Sequence, residues 1–186
     1  GDRTPLQDKY SGARFAAKTI NFGIVYGMGP QSLAASTGYT VAEAERFLTL
    51  YMSRYGGVKD FIERTHSIVE RCGYVRTLTG RKRRLPAVRS KEWAIKGGAL
   101  RQAVNSRIQG SAADIIKIAM MKMLQPLRDL GAQILIQVHD ELIVMVPEQN
   151  AEKAAAIVKG CMEGATVLRV PLVTEPHIVE RWGEAK

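Results

Sequence analysis

The chain has few cysteines and no long apolar run, and both absences exclude whole classes of protein. Its 186 residues include only two cysteines, Cys72 and Cys161, and neither has a His or Cys at the usual zinc-ligand spacing. A disulfide framework and a structural zinc site are therefore excluded, and a reducing compartment is expected. Apolar runs such as residues 142–146 are far shorter than the ~20 residues of a membrane-spanning helix. We expect a globular chain with a cytoplasmic location and no membrane partner.

Acidic residues are scarce in one half of the chain. The formal net charge is +9, but residues 1–110 carry 19 Lys or Arg and 8 Asp or Glu, a net of +11, whereas residues 111–186 carry 8 and 10, a net of −2. Between residues 71 and 107 there are eleven Lys or Arg, and Glu92 is the only acid. This one-sided excess predicts a polyanionic partner such as nucleic acid.

The apolar periodicity predicts an α+β chain, with helices first and a small antiparallel sheet at the end. Thr40 with Glu43, and again Ser111 with Asp114, form the capping-box pattern that opens a helix. Pro126 is expected to kink or shorten the helix that contains it. The predicted helices cover residues 11–27, 40–55, 59–72, 93–109, 111–131 and 150–163. The predicted strands are 74–78 with 81–85, 134–138 with 142–146 as a buried hairpin, and 171–179.

Two cations and two rings recur every four residues in the first helix, namely Arg14, Lys18, Phe22 and Tyr26. In a helix they form one stripe about 18 Å long. A triphosphate needs compact positive charge, and a base or sugar offers a flat face that a ring can cover. A solvated cationic face that runs into core aromatics would have the same spacing, so both readings stay open.

Asp140 and Glu141 follow His139 between two apolar strands, where charge needs solvent or a cation. A divalent metal would explain the two carboxylates. Hairpin tips are also often acidic simply because they face water, so this alternative stays open as well.

Three segments together resemble the family A DNA polymerases, the DNA polymerase I type. Residues 14–27, RFAAKTINFGIVYG, resemble the nucleotide-binding helix of the fingers, and residues 137–142, QVHDEL, resemble the second catalytic motif of the palm. Residues 101–114 resemble the segment that contacts primer and template. The resemblance implies a helix-rich fingers subdomain at 13–90, a C-terminal palm portion with its small sheet at 91–186, and a linker from an upstream palm at 1–12.

The resemblance also implies roles for the matching residues. Arg14 and Lys18 would hold the triphosphate, with Lys18 as proton donor to the departing pyrophosphate. Phe22 would pack on the incoming sugar and base, and Tyr26 would hold the position of the template base. Asp140 would be a catalytic metal ligand, with Glu141 supporting it.

DNA contacts are implied for a second set of residues: Arg101, Asn105, Gln109, His139 and the basic run Arg81, Lys82, Arg83 and Arg84. The first four would lie near the primer end, and the basic run would bind phosphates. Without the resemblance, these residues could equally be ordinary surface side chains, and the basic run a solvated hairpin edge or a sorting signal.

The implied reaction is template-directed transfer of a nucleotide from a dNTP to a primer 3′ hydroxyl, in DNA replication or repair, in a bacterial or phage-infected cell. It uses two Mg²⁺ ions held by carboxylates from at least two chain positions. Nothing before Arg14 matches the family's first catalytic Asp, so the Mg²⁺ site is incomplete in this chain. We expect the 186 residues alone to be inactive until the missing upstream palm and thumb portion is supplied. Arg107 stands where the family often has Pro.

Two other functions stay open. A single-subunit RNA polymerase has a similar helix and hairpin, but Glu141 after Asp140 and the Asn-Phe-Gly context favour DNA synthesis. A comparison of ribonucleotides with deoxynucleotides would separate the two. A non-catalytic nucleic-acid-binding module would explain the charge alone, and it predicts that Asp140→Ala leaves all function intact.

Overall fold

The computed structural model describes residues 11–184, and this part of the chain is α+β, as predicted. Its helices are α1 Ser11–Val25, α2 Pro30–Thr37, α3 Val41–Arg54, α4 Gly56–Cys72, α5 Trp93–Asp129 and α6 Ala151–Glu163. Its strands are β1 Tyr74–Arg76 paired with β2 Lys82–Arg84, and β3 Gln133–Val138 paired with β4 Glu141–Met145, both antiparallel. Across the described range, no helix is both long and apolar enough to cross a membrane.

The chain divides into two compact units. Residues 11–76 and 80–107 form the first, and residues 77–79 and 108–184 form the second. Helix α5 contributes to both. The subdomain boundary at residue 90 is a functional assignment and stays a prediction, and the predicted linker at 1–12 falls almost entirely outside the described residues.

Helix α2 is an element that the sequence pattern did not predict. It begins with Pro30 in its first turn and ends at Gly38, whose φ of 76° is left-handed. Leu33 and Ala34 are buried with Ala44 of α3, and Ile20 of α1 packs against them. The helix is only 8 residues long and rich in small polar residues, so it lacks the long periodic apolar stripe by which helices are recognised.

The capping box predicted for α3 is confirmed. The Glu43 backbone N–H donates to Thr40 Oγ1 at 3.3 Å, and the Thr40 backbone N–H donates to Glu43 Oε2 at 2.8 Å. Hydrogen bonds to the charged form lower the pKa of Glu43, chiefly the one from the Thr40 backbone. The stabilisation is therefore present above the ordinary carboxyl pKa and is lost as the pH falls through the lowered value.

We expect Thr40→Ala to raise the pKa of Glu43 toward its ordinary value, because the hydroxyl hydrogen bond is lost and the first turn frays. NMR titration of the Glu43 carboxyl measures this. Thr49→Ala is the matched control, since the Thr49 hydroxyl donates only to the Glu45 carbonyl inside the same helix. An unchanged Glu43 pKa in Thr40→Ala would contradict the cap.

Helix α4 begins at Gly56, earlier than the predicted Lys59, and ends at Cys72, where it is capped by Gly73 with a φ of 74°. Its last turn packs Val69 against Val75 of β1 and Ala103 of α5 in the core of the first unit.

The predicted break at Gly110 is wrong, because α5 is one helix of 37 residues. Ser111 and Asp114 do not cap a new helix. Instead, the Leu78 backbone N–H donates to Ser111 Oγ at 2.8 Å, and Asp114 accepts from the hydroxyls of the threonines that flank Leu78. Pro126 lies inside the last turns without ending the helix there.

The second unit packs the β3–β4 hairpin on α5 and α6. Met123 and Leu127 of α5 and Ala154 of α6 are buried, and Ile134 and Val144 of the hairpin pack against this cluster. The expectation of a buried hairpin is only half right, because the helices cover one face. On the strands, Leu135 is 52% exposed and Met145 is 53% exposed.

The predicted strand at 171–179 is wrong, since the structure has no strand there. Pro171 and Pro176 supply no backbone donor for a ladder. Within residues 11–184 no strand pairs with this segment.

Candidate functional site

The α1 stripe is a contiguous line of one cation and two rings. Lys18 and Phe22 lie on α1, and Tyr26 directly follows its last residue, Val25. Lys18 Nζ lies 5.9 Å from the ring centroid of Phe22. The rings of Phe22 and Tyr26 are stacked, with centroids 6.3 Å apart and planes 12° apart. Phe22 is 48% exposed, so the reading in which this ring fills the core is not supported. The predicted Arg14 belongs to the same helix, but its side chain lies outside the described residues.

A side chain of α3 forms a hydrogen bond with α1 next to Phe22. The Tyr51 hydroxyl donates to Asn21 Oδ1, and Asn21 directly precedes Phe22. Burial, helped by the nearby Tyr55, raises the pKa of Tyr51 above its ordinary value. The two residues are 30 positions apart, so no local pattern could have revealed this contact.

Arg101 on α5 packs against the end of α1. A Cβ at Gly27 would lie 2.7 Å from Arg101 Cγ, and Gly27 has a φ of +89°. Both observations require glycine at this position. Farther along α5, Asn105 is half-buried and Gln109 is exposed. The Asn105 Oδ1 atom is buried and meets no hydrogen-bond donor among the described residues.

Arg107 has a defined place in the first unit. Its Nη1 donates to the Oγ1 of buried Thr65 at 2.7 Å, and its guanidinium carbon lies 4.7 Å from the ring centroid of Phe61. The arginine therefore ties α5 to α4, which explains how the chain accommodates Arg where the resemblance led us to expect Pro.

The tip of the β3–β4 hairpin carries the predicted acidic pair. Val138 pairs with Glu141, so His139 and Asp140 form the turn and Glu141 is the first residue of β4. His139 has a φ of 55°, which is unusual for a residue other than glycine, and its carbonyl accepts from Gln137 Nε2 at 3.1 Å. Asp140 and Glu141 are exposed.

The carboxylate oxygens of Asp140 and Glu141 are the ligands that Mg²⁺ prefers. The two carboxylates could therefore supply some, but not all, of the ligands of a Mg²⁺ ion. Within residues 11–184, however, no group of three or more His, Cys, Asp or Glu side chains comes together that could hold a metal.

The basic hairpin β1–β2 presents its cations to solvent. Arg81, Lys82, Arg83 and Arg84 are all exposed. Tyr74 of β1 supports this surface, with Lys82 Nζ 5.0 Å and the Arg76 guanidinium carbon 5.7 Å from its ring centroid.

The α1 stripe belongs to the first unit and the acidic tip to the second. That the two share one cleft stays a prediction.

Comparison with known proteins covers nearly the whole chain. The profile of DNA polymerase family A matches residues 3–184. Thermostable DNA polymerase I of Thermus filiformis is 46% identical over 173 residues, which is 93% of this chain and 21% of that protein. DNA polymerase I of Pseudomonas aeruginosa is 40% identical over 183 residues, which is 97% of this chain and 20% of that protein. The chain thus spans about a fifth of the length of these curated relatives.

A solved structure is similar over most of the chain as well. It is described as the POL domain of Pol1 from M. smegmatis in complex with DNA primer-template and dNTP. The TM-score is 0.84 at 36% sequence identity, over 91% of this chain and 30% of that one. Because the family profile matches residues 3–184, nearly the whole chain, the chain belongs to the family A DNA polymerases.

Proposed function

We propose that the chain is the fingers, at residues 13–90, and the C-terminal palm, at residues 91–186, of an enzyme that extends a DNA primer on a template. The observation that carries the proposal is the line formed by Lys18, Phe22 and Tyr26. It presents charge and then flat apolar surface in the order in which a nucleoside triphosphate presents its phosphates and then its base.

Lys18 and Arg14 bind the triphosphate in this proposal. Lys18 is exposed at one end of the line, and Arg14 precedes it by one turn on α1. An ammonium at this place both compensates phosphate charge and donates a proton to the departing pyrophosphate. Phe22 then covers the sugar and base, and stacked Tyr26 lies beside the template base.

Asp140 and Glu141 contribute the palm carboxylates. Bound Mg²⁺ supplies charge neutralisation at the α-phosphate and the primer 3′ oxygen. The hairpin holds the two carboxylates in solvent at the end of paired strands, with His139 beside them for the primer terminus. The left-handed conformation of His139 supports a functional role, because backbone strain persists where a side chain is needed at that place.

The duplex contacts follow one helix and one hairpin. Arg101, Asn105 and Gln109 are four residues apart on α5, and the Arg101 and Gln109 side chains are exposed. Arg81, Lys82, Arg83 and Arg84 bind backbone phosphates, so affinity for duplex DNA should fall steeply as salt rises.

The catalytic site needs a further carboxylate. Two-metal transfer requires ligands from at least two chain positions, and no described residue joins Asp140 and Glu141 in a group of three or more candidate ligands. We therefore propose that the 186 residues extend no primer until the upstream palm and thumb portion is added. The family match favours deoxynucleotides over ribonucleotides as substrates.

Lys18→Ala tests the triphosphate role. We expect about a tenfold loss of dNTP affinity, from removal of one charge-assisted contact, with duplex affinity unchanged. Equilibrium binding of a fluorescent dNTP and of a labelled duplex measures both. Lys59→Ala is the matched control, since Lys59 is an exposed lysine of the same unit, 3.8 Å from Glu63. Equal losses of dNTP affinity and duplex affinity in Lys18→Ala would contradict the proposed role of Lys18 in triphosphate binding.

A further inference from the structure

Apolar packing fixes α1 on the face opposite to Phe22. Ile24, in the last turn, is buried. One turn earlier, Ile20 packs against Leu33 of α2 and Ala44 of α3. Phe22 is two residues from each isoleucine, about 200° around the helix, and 48% of it is exposed. Because apolar packing is non-directional, it restrains a small rotation of the helix about its axis only weakly, and such a rotation would move the exposed ring.

A polar contact lies at the side of the same turn. Asn21 is one residue, about 100° around the helix, from Phe22, and its Oδ1 accepts from the Tyr51 hydroxyl of α3. A hydrogen bond depends on direction as well as distance, so this contact opposes rotation of the last turn of α1. Carbonyls at a helix end lack intrahelical partners, and such ends fray. A restraint placed there has more effect than one in the middle of the helix.

Tyr51 is itself held where α3 ends. Its ring contacts the ring of Tyr55, with the two centroids 4.7 Å apart. The Tyr55 backbone N–H donates to the Tyr51 carbonyl at 2.9 Å. The Tyr55 carbonyl accepts from the backbone N–H groups of Val58 and Lys59, in the first turn of α4. The Tyr51 ring therefore belongs to the junction of two helices, and a side chain locked by its neighbours can hold a functional residue in place.

We propose that Tyr51 is a positioning residue for the incoming nucleotide, whose hydroxyl holds Phe22 against the sugar and base through Asn21. In this role Tyr51 contacts neither the nucleotide nor the DNA. The proposal rests on the proposed function for the identity of the ligand. Lys18 lies in the middle of α1, one turn before Phe22, so loss of the Tyr51 hydroxyl should weaken recognition of the sugar and base and spare recognition of the phosphates.

Tyr51→Phe tests this role, because it removes the hydroxyl and keeps the ring. In the 186-residue chain we expect binding of a fluorescent dNTP to weaken by about threefold to tenfold, the value of one neutral hydrogen bond. Inorganic tripolyphosphate, measured by displacement of this dNTP, should keep its affinity within about twofold, since it has no sugar or base. Unchanged dNTP affinity, or equal losses for dNTP and tripolyphosphate, would overturn the proposal.

Tyr55→Phe is the matched control. It removes a hydroxyl from a ring that is 52% exposed and that contacts Tyr51. Because the substitution leaves the Tyr51 hydroxyl in place, we expect the affinities for dNTP and for tripolyphosphate to be unchanged. Circular dichroism checks that each variant is folded.

A double-mutant cycle tests whether Tyr51 acts through Phe22. In the Phe22→Ala background, Tyr51→Phe should weaken dNTP binding no further, because the ring to be positioned is gone. Asn21→Ala should weaken dNTP binding as much as Tyr51→Phe does, and the two together should weaken it no more than either alone. Additive losses in either pair would contradict the proposed role of Tyr51.

Two readouts separate this proposal from the proposed function. If Lys18→Ala weakens binding of both dNTP and tripolyphosphate while Tyr51→Phe changes neither, the positioning role fails and the proposed function stands. The second readout needs no nucleotide: Tyr51→Phe should shift the NMR resonances of the Phe22 ring, which stacks on Tyr26, and Tyr55→Phe should not. Unshifted resonances in Tyr51→Phe would refute the positioning role alone, whereas an unchanged chain that binds no dNTP would refute both proposals.

Discussion

Asp140→Asn should reduce primer extension about 10³-fold or more, because it removes a charge that a catalytic metal ion requires, worth several kcal/mol in the transition state. The substitution keeps the size of the side chain at an exposed turn position, so the hairpin should fold as before. Affinity for duplex DNA should stay within about twofold, since phosphate contacts dominate that affinity.

Because the chain spans about a fifth of its relative's length, we choose a full-length polymerase for the assay. A chimaera in which residues 11–184 replace the matching segment of the Thermus filiformis polymerase, 46% identical to this chain, supplies one. Asp129→Asn is the matched control, because Asp129 is an exposed acid of the same unit bound only within its helix, where it accepts from Gln125 at 2.8 Å. A non-catalytic nucleic-acid-binding module predicts that Asp140→Asn changes nothing. Retained extension would therefore favour that alternative.

Asp114→Ala should lower the free energy of unfolding of the second unit by about 1–3 kcal/mol, because it leaves buried hydrogen-bonding partners unsatisfied. Asp114 is only 3% exposed, and its Oδ2 accepts from Thr77 Oγ1 at 2.7 Å and from Thr79 Oγ1 at 2.5 Å. These bonds hold residues 77–79 on α5. Without them, the Leu78 N–H should also separate from Ser111.

Two measurements check this expectation. Urea denaturation gives the loss of stability, and hydrogen exchange of the Leu78 amide reports the local opening. Asp129→Ala, exposed in the same helix, should change stability by less than about 0.5 kcal/mol. A normal exchange rate at Leu78 in Asp114→Ala would show that the loop is held by something else.

The two capping-box patterns show how far the sequence could predict the fold. Thr40 with Glu43 forms the box, with both partners lying within one turn. Ser111 with Asp114 has an equivalent pattern, but both side chains bind residues 77–79 instead. Local sequence predicts local hydrogen bonds, and it fails where a distant segment offers better partners.

The same limit applies to the candidate site. The spacing of four residues predicted the line of Lys18, Phe22 and Tyr26, because helical pitch fixes which residues are neighbours. The line holds although α1 ends at Val25, since the Tyr26 N–H still donates to the Phe22 carbonyl. The contact of Arg107 with Thr65 joins residues 42 positions apart. Only the folded chain brings them together.

The left-handed His139 has a consequence for laboratory evolution. In that conformation, a residue other than glycine or asparagine has a conformational free-energy cost of about 1 kcal/mol or more. Variants screened for heat resistance alone should therefore accumulate glycine or asparagine at position 139. These variants should be more thermally stable, but they lack the imidazole side chain. A screen that couples survival at high temperature to strand synthesis should instead retain the histidine and find its stabilising changes elsewhere.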